Sequence, residues 1–184
     1  MAALFPLLTS WYLFPGVNLG KTPPLANLKS IVMLLTGMAM LTLELYVVRN
    51  TNGSLILAAT FKHSCLDPLA AEALSILDAC KLISSLKIGN AIVESDCLDA
   101  ISLIKGSFPN SFWTADPIVE LILKFWKIWP SWNFLFCTRS ANGSAHALAK
   151  WASVCNCIFE GIVPFNCIPN SIFCGKDFPI VSQF

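Results

Sequence analysis

The stretch that most constrains the fold runs from Asp67 to Ile104, DPLAAEALSILDACKLISSLKIGNAIVESDCLDAISLI. Asp67 can accept from the free N–H groups of a helix start, and Pro68 suits the first helical turn because its missing N–H costs nothing there. Leu69, Ala73, Ile76, Leu77, Cys80 and Ile83 then recur at helical spacing and give one apolar face. Gly89 is expected to supply the left-handed residue that ends this helix. Ala91-Ile92-Val93 reads as a short strand carrying Glu94 and Asp96 to one side, because side chains alternate along a strand. Asp96 or Ser95 is then expected to cap a second helix running to about Lys105, with Asp99 in its first turn.

Upstream, Tyr46 to Arg49 reads as a strand and Ser54 to Thr60 as its return. Asn52-Gly53 between them is the strongest short turn signal in the chain. Downstream, a helix is expected from Asp116-Pro117 to about Ile128, stopped by Pro130. A strand at Asn133 to Cys137 and a last helix over roughly Ser144 to Cys155 follow. The crossover through residues 67–104 joins the hairpin to a strand, so the expected architecture is α/β, a mixed sheet with helices on its faces. Pro6, Pro15, Pro23 and Pro24 break residues 1–29 into loop. The proline-punctuated tail over 160–184 is expected to be wrapped on the surface or disordered.

The chain of 184 residues suits one domain with a full core. Hydrophobic residues make up 55% and charged ones 12%, about half the usual charged share of roughly 25%. That composition argues against disorder throughout. A net charge of +1 and the lack of any Lys/Arg run give no general electrostatic pull toward nucleic acid.

The apolar bias is concentrated near the start, where residues 1–49 carry as charges only Lys21, Lys29, Glu44 and Arg49. Ser30 to Val48 holds one charge, Glu44, and its length passes a crude membrane-span filter. A single-pass membrane protein is therefore one function class to weigh, although the rest of the chain argues against it. The N-terminus lacks a basic region of the kind secretory signals carry. The eight cysteines are scattered, and they are expected to be free thiols of a reducing, intracellular compartment. Cys155, Cys157, Cys167 and Cys174 are enough for zinc on count alone, but their spacing fits none of the usual knuckles.

Four strings carry the chemistry: Val48-Arg49-Asn50-x-Asn52-Gly53, Ala71-Glu72-Ala73-Leu74, Val93-Glu94-Ser95-Asp96-Cys97 and Arg139-x-x-Asn142-x-x-x-His146-x-Leu148-Ala149-Lys150-Trp151-Ala152. In this order they resemble the type 1 ribonuclease H domain, in particular the plant reverse-transcriptase-like, retroelement-derived group. Asp177-Phe178-Pro179 looks like the tail such domains often have, so the resemblance covers about residues 46–180. It implies a ribonuclease H-like fold and cleavage of the RNA strand of an RNA–DNA hybrid by paired Mg²⁺ ions. Hard ions of that kind require clustered carboxylates. By resemblance, Glu72 is the helix carboxylate and Asp96 the strand-end carboxylate, both metal ligands. His146 stands where the fourth acid belongs, and the resemblance implies a catalytic role for it near the leaving group or product, although imidazole is a poor Mg²⁺ ligand.

The bland readings stand beside these. Asp96 alone is a plain helix cap, Glu72 a solvated helix residue and His146 a surface histidine. Phe112, Trp113, Phe125, Trp126, Trp129 and Trp132 can stack bases but read mainly as core. Lys124 and Lys127 are too few for a basic hybrid-binding helix, and Ser144 has no base–acid partners for a hydrolase triad.

One part of the resemblance fails. The family's lead-in to strand one is present as Pro23-Pro24-Leu25-Ala26-Asn27-Leu28-Lys29, but the acid that should follow is missing from SIVMLLTGMAMLTLEL. The first strand is therefore expected to be replaced by an apolar segment. The chain divides into an aberrant segment over 1–45, a ribonuclease H-like domain over 46–157 and a tail over 158–184. Two readings remain: a hybrid ribonuclease impaired by the missing acid, and a non-catalytic relic that binds nucleic acid weakly or not at all. No membrane or protein partner is implied.

A shifted reading frame accounts for the block as a hypothesis. Methionine has one codon, so in codons begun at the old third base the Met38-Ala39 junction must read Gly. The Val32-Met33 junction reads Asp where valine is GTG, and Met33-Leu34 reads Ala where leucine begins with C. Sequencing the coding strand across residues 30–46 is expected to show an open Asp-Ala to Asp-Gly frame; a stop codon in that frame removes the idea.

Overall fold

In the computed structural model the chain is described over residues 28–38, 41–50, 55–63, 67–107, 113–141 and 161–163. Strand β1 (Leu28–Met38) turns back into β2 (Leu41–Asn50), and β2 pairs in turn with β3 (Leu55–His63), both antiparallel. Helix α1 (Pro68–Ser85) then crosses over β2 and β1 to reach β4 (Ile92–Ser95), which lies parallel to β1. Helices α2 (Leu98–Ile104) and α3 (Asp116–Ile128) lead to β5 (Asn133–Phe136), parallel to β4. A short β6 (Gly161–Val163) adds to the far side of β3, so the sheet order is β5-β4-β1-β2-β3-β6.

The apolar run from Ser30 to Val48 is thus a pair of strands. It does not replace the first strand from outside the sheet; it fills the central slot, bonded on one side to β2 and on the other to β4. A strand bonded on both edges in the middle of a sheet suits apolar and β-branched residues, which the run supplies. No helix among the described residues is long and apolar enough to cross a membrane. The sheet also reaches beyond the 46–157 span on both sides, through β1 and the first half of β2 before it and β6 after it. Gly161 to Val163 lie in the segment expected to be wrapped on the surface or disordered, and they form an edge strand; the rest of that tail lies outside the described residues.

Helix α1 forms where Asp67 and Pro68 direct it. The Asp67 carboxylate accepts from the Leu69 N–H at 3.0 Å and Pro68 opens the helix. Ala73, Ile76, Leu77, Cys80 and Ile83 are buried as the spacing requires, and Leu69 is half-buried. Each fully buried isoleucine on this face contributes about 1.5–3 kcal/mol of hydrophobic stabilisation. Cys80, Cys97 and Cys137, the cysteines described, are free thiols.

The helix stop is not Gly89. Lys87 takes the left-handed conformation at φ 55°; the Ile88 N–H reaches the Ile83 carbonyl at 3.0 Å, and the Lys87 N–H reaches Ser84 at 3.0 Å. That is a Schellman ending, with Ile83 and Ile88 both in the core. Helix α2 ends in the same pattern, Ser107 to Ser102 and Gly106 to Leu103, but there a glycine (φ 68°) fills the left-handed position. The Lys87 turn aims the Ile88 carbonyl at Trp132, whose indole N–H donates to it at 2.9 Å from a fully buried ring. The Asn133 N–H bonds Ala91 and opens β5 beside β4.

A lysine at φ 55° carries a Cβ penalty that glycine avoids, partly offset by glycine's greater freedom when unfolded. Lys87→Gly is therefore expected to stabilise the fold by about 0.5–1 kcal/mol and raise the melting temperature by about 2 °C, read by thermal denaturation.

Candidate active site

Strands β1, β3, β4 and β5 share one direction, since β2 is antiparallel to both β1 and β3. Helix α1 joins β3 to β4 and runs back along the sheet, so its first turns lie over the strands' carboxyl ends. That end is where open α/β sheets place their ligands. Glu72, half-buried in the second turn of α1, arrives there from the helix, and Asp96, half-buried, stands one residue beyond the end of β4.

Ser95 links the two segments. Its side chain is buried, its hydroxyl lies 3.5 Å from Glu72 Oε2 as donor, and it accepts from the Cys97 N–H at 3.1 Å. Cys97, and neither Asp96 nor Ser95, occupies the N-cap position of α2. The expectation of an Asp96 or Ser95 cap is corrected: Ser95 sits inside the strand, and its hydroxyl holds the bend that precedes the helix.

Burial alternates along β4, with Val93 and Ser95 buried and Ile92 and Glu94 half-exposed. Glu94 therefore projects from the face opposite Ser95 and Glu72. Glu94 and Asp96 both bear on Cys137, just past β5: burial first and then these two carboxylates push its thiol up to about 12. Cys97 is likewise raised, chiefly by burial and further by Glu72 and Asp99, with the N–H groups of Ala100 and Asp99 opposing. Burial also pushes the Cys80 thiol up. Protonated thiols of this kind are poor nucleophiles.

On β1 the register sets Ile31 beside Val93 and Val32 beside Glu94. Paired positions share a sheet face, so position 33 falls on the face of Val93 and Ser95. Met33 stands there, and no acid occurs anywhere in Leu28–Met38. Among the described residues no three His, Cys, Asp or Glu side chains gather as a metal group. Glu72 and Asp96 by themselves do not fit a two-ion Mg²⁺ centre. His146 lies outside the described residues, as do Asn142 and the expected last helix; Arg139 is exposed in the turn after β5.

The aromatic series separates. Trp132 is buried, stacked on Trp129 at 5.7 Å and on Phe125 at 6.4 Å, while Trp126 meets Phe134 edge-on at 5.2 Å. These rings are core, as their helical spacing suggests. Trp113 differs: it is 85% exposed. The next residue, Thr114, donates its hydroxyl to Asp67, which fixes the start of α3 beside the start of α1. Sequence reasoning named Ser95 only as a possible helix cap and missed Thr114, because a hydroxyl that reaches an acid far along the chain carries no pattern of its own.

A mixed sheet of this order, crossed by α1 and carrying acids at the carboxyl end of β4, defines a ribonuclease H-like fold. Solved structures agree. RNase H1 from Halobacterium salinarum superposes with a TM-score of 0.60 at 10% identity, covering 65% of this chain and 93% of that one. The N-terminal RNase H domain of a Mycobacterium tuberculosis protein gives 0.58 at 14%, covering 68% and 94%. LC11-RNase H1, solved in complex with an RNA/DNA hybrid, gives 0.59 at 13%, covering 65% and 91%. At these identities the likeness is one of fold. No curated protein matches the chain. A family model described as reverse transcriptase-like matches residues 45–152, and the chain belongs to that family.

The Thr114 hydroxyl, and then the N–H groups of Leu69 and Ala70, hold the Asp67 carboxyl below its usual range. A depressed carboxyl contributes stability that is present above the unfolded pKa of about 3.9 and is lost as pH falls through the folded value. Asp67→Asn is expected to flatten this acid limb of a urea-stability profile, and Asp67→Ala to cost about 1 kcal/mol at neutral pH.

Proposed function

We propose that this chain is a ribonuclease H-type protein that binds RNA–DNA hybrids and whose hydrolytic chemistry is impaired. The observation that carries the reading is the central strand. Strand β1 runs beside β4 in the position from which the family's first carboxylate would act, yet it offers Val32 and Met33 there. Binding surfaces and strand pairing can survive such a change, whereas a two-ion mechanism needs an oxygen ligand shared between the ions. Glu94 is no substitute, because it projects from the other face of β4. Family membership and the hybrid-bound LC11-RNase H1 neighbour support a hybrid as the ligand.

In this reading Glu72 and Asp96 keep the places of metal ligands, and bound Mg²⁺ would supply activation of water and charge neutralisation. With only these two carboxylates to hold such ions, turnover would be lost before affinity for nucleic acid is.

The test compares the protein with Met33→Asp, Asp96→Asn and the double variant on a labelled hybrid with Mg²⁺. The expected result is hybrid binding but negligible cleavage by the parent, measurable cleavage by Met33→Asp, and loss of that gain in the double variant. Circular dichroism checks that Met33→Asp folds. Brisk cleavage by the parent that Asp96→Asn abolishes would show the site intact without the missing acid and overturn the impairment.

A further inference from the structure

We propose that Trp113 is a stacking platform for an unpaired base, so that the preferred ligand is a hybrid with a single-stranded overhang. This rests on the hybrid-binding reading above and adds the form of nucleic acid that the site selects. Burying an aromatic ring is worth several kcal/mol, and the neighbouring rings Phe125, Trp126, Trp129 and Trp132 all pack against the core. Trp113 is left 85% exposed.

Its position is fixed by two features. Thr114 is tied to Asp67 at the N-cap of α1, and Ala115, buried, begins α3. The ring is therefore held at the carboxyl end of the sheet, the end that carries Glu72 and Asp96. Leu98 at the start of α2 is 56% exposed, and Phe136 at the end of β5 is also exposed, so among the described residues apolar side chains recur at this end. Arg139 is exposed in the turn just beyond β5. Lys124 and Lys127, by contrast, lie in the second half of α3, which points toward the opposite end.

Exposed aromatic and aliphatic surface of this kind suits bases better than phosphates. Paired bases inside a duplex present no free face, so a ring held in a turn reads unpaired ones. Stacking of this kind tolerates any base, and the stacking contribution by itself neutralises no phosphate.

The experiment measures fluorescence anisotropy of two labelled hybrids, one blunt and one with a short single-stranded RNA overhang, against the parent, Trp113→Ala and Trp113→Phe. The parent is expected to prefer the overhang by about tenfold, the size of one stacked base, and that ratio is expected to change little with salt. Trp113→Ala should erase the preference while keeping blunt-hybrid affinity, and Trp113→Phe should keep most of it. Equal binding of both hybrids by the parent, or a preference unchanged in Trp113→Ala, overturns the inference and leaves hybrid binding standing. A parent that binds neither hybrid removes both. A parent that sediments as a dimer, and as a monomer once Trp113 is Ala, assigns the ring to self-association and overturns the inference.

Discussion

Strand β1 is bonded on both sides, antiparallel to β2 and parallel to β4, and the rest of the fold depends on that double pairing. It converts a hairpin sheet into a mixed one and sets the distance that α1 has to cross. It also holds the carboxyl end of β4 in line with the second turn of α1, where Glu72 meets Ser95. A strand in this place answers to two requirements. Packing asks for apolar residues in a central strand, and the two-ion reading proposed above asks for one acid as well. The run SIVMLLTGM meets the first and ignores the second. Apolar packing and a single acid are separable demands because they bear on different side chains of the same strand.

The elements with local start and stop signals were legible in the sequence. Asp67-Pro68 and Asp116-Pro117 mark the starts of α1 and α3, and Pro130 follows the end of α3 closely. Asn52-Gly53 falls between β2 and β3. The apolar block was not legible as two strands, because a continuous apolar run has no period by which to tell strand from helix. Gly89 misled for a related reason: a glycine near a helix end draws the stop to itself, while the backbone had already turned at Lys87 under the pull of Ile88 toward the core.

The candidate site was legible only in its carboxylates. Glu72 and Asp96 could be named from short strings, but the face on which Glu94 projects depends on where β4 pairs and ends. That in turn is decided by β1 and β5. The two hydroxyls that join elements, Ser95 to α1 and Thr114 to Asp67, act across long stretches of chain. The aromatic series shows the same dependence: six rings of one chemical kind in sequence divide, among those described, into a packed group and one exposed member according to the turn at the start of α3.

Strand β6 has a consequence for how the molecule is made. Its pairing joins Val163 to Ala58, positions about a hundred residues apart, and contacts of such separation form late and slowly. Until they form, the outer edge of β3 presents unpaired backbone groups to any passing strand. During synthesis the hairpin, α1 and the parallel strands can assemble while that edge stays open. Closing it falls to three residues, Gly161 to Val163, that leave the ribosome long after their partner. The interval between those events is when the nascent sheet is most exposed to aggregation.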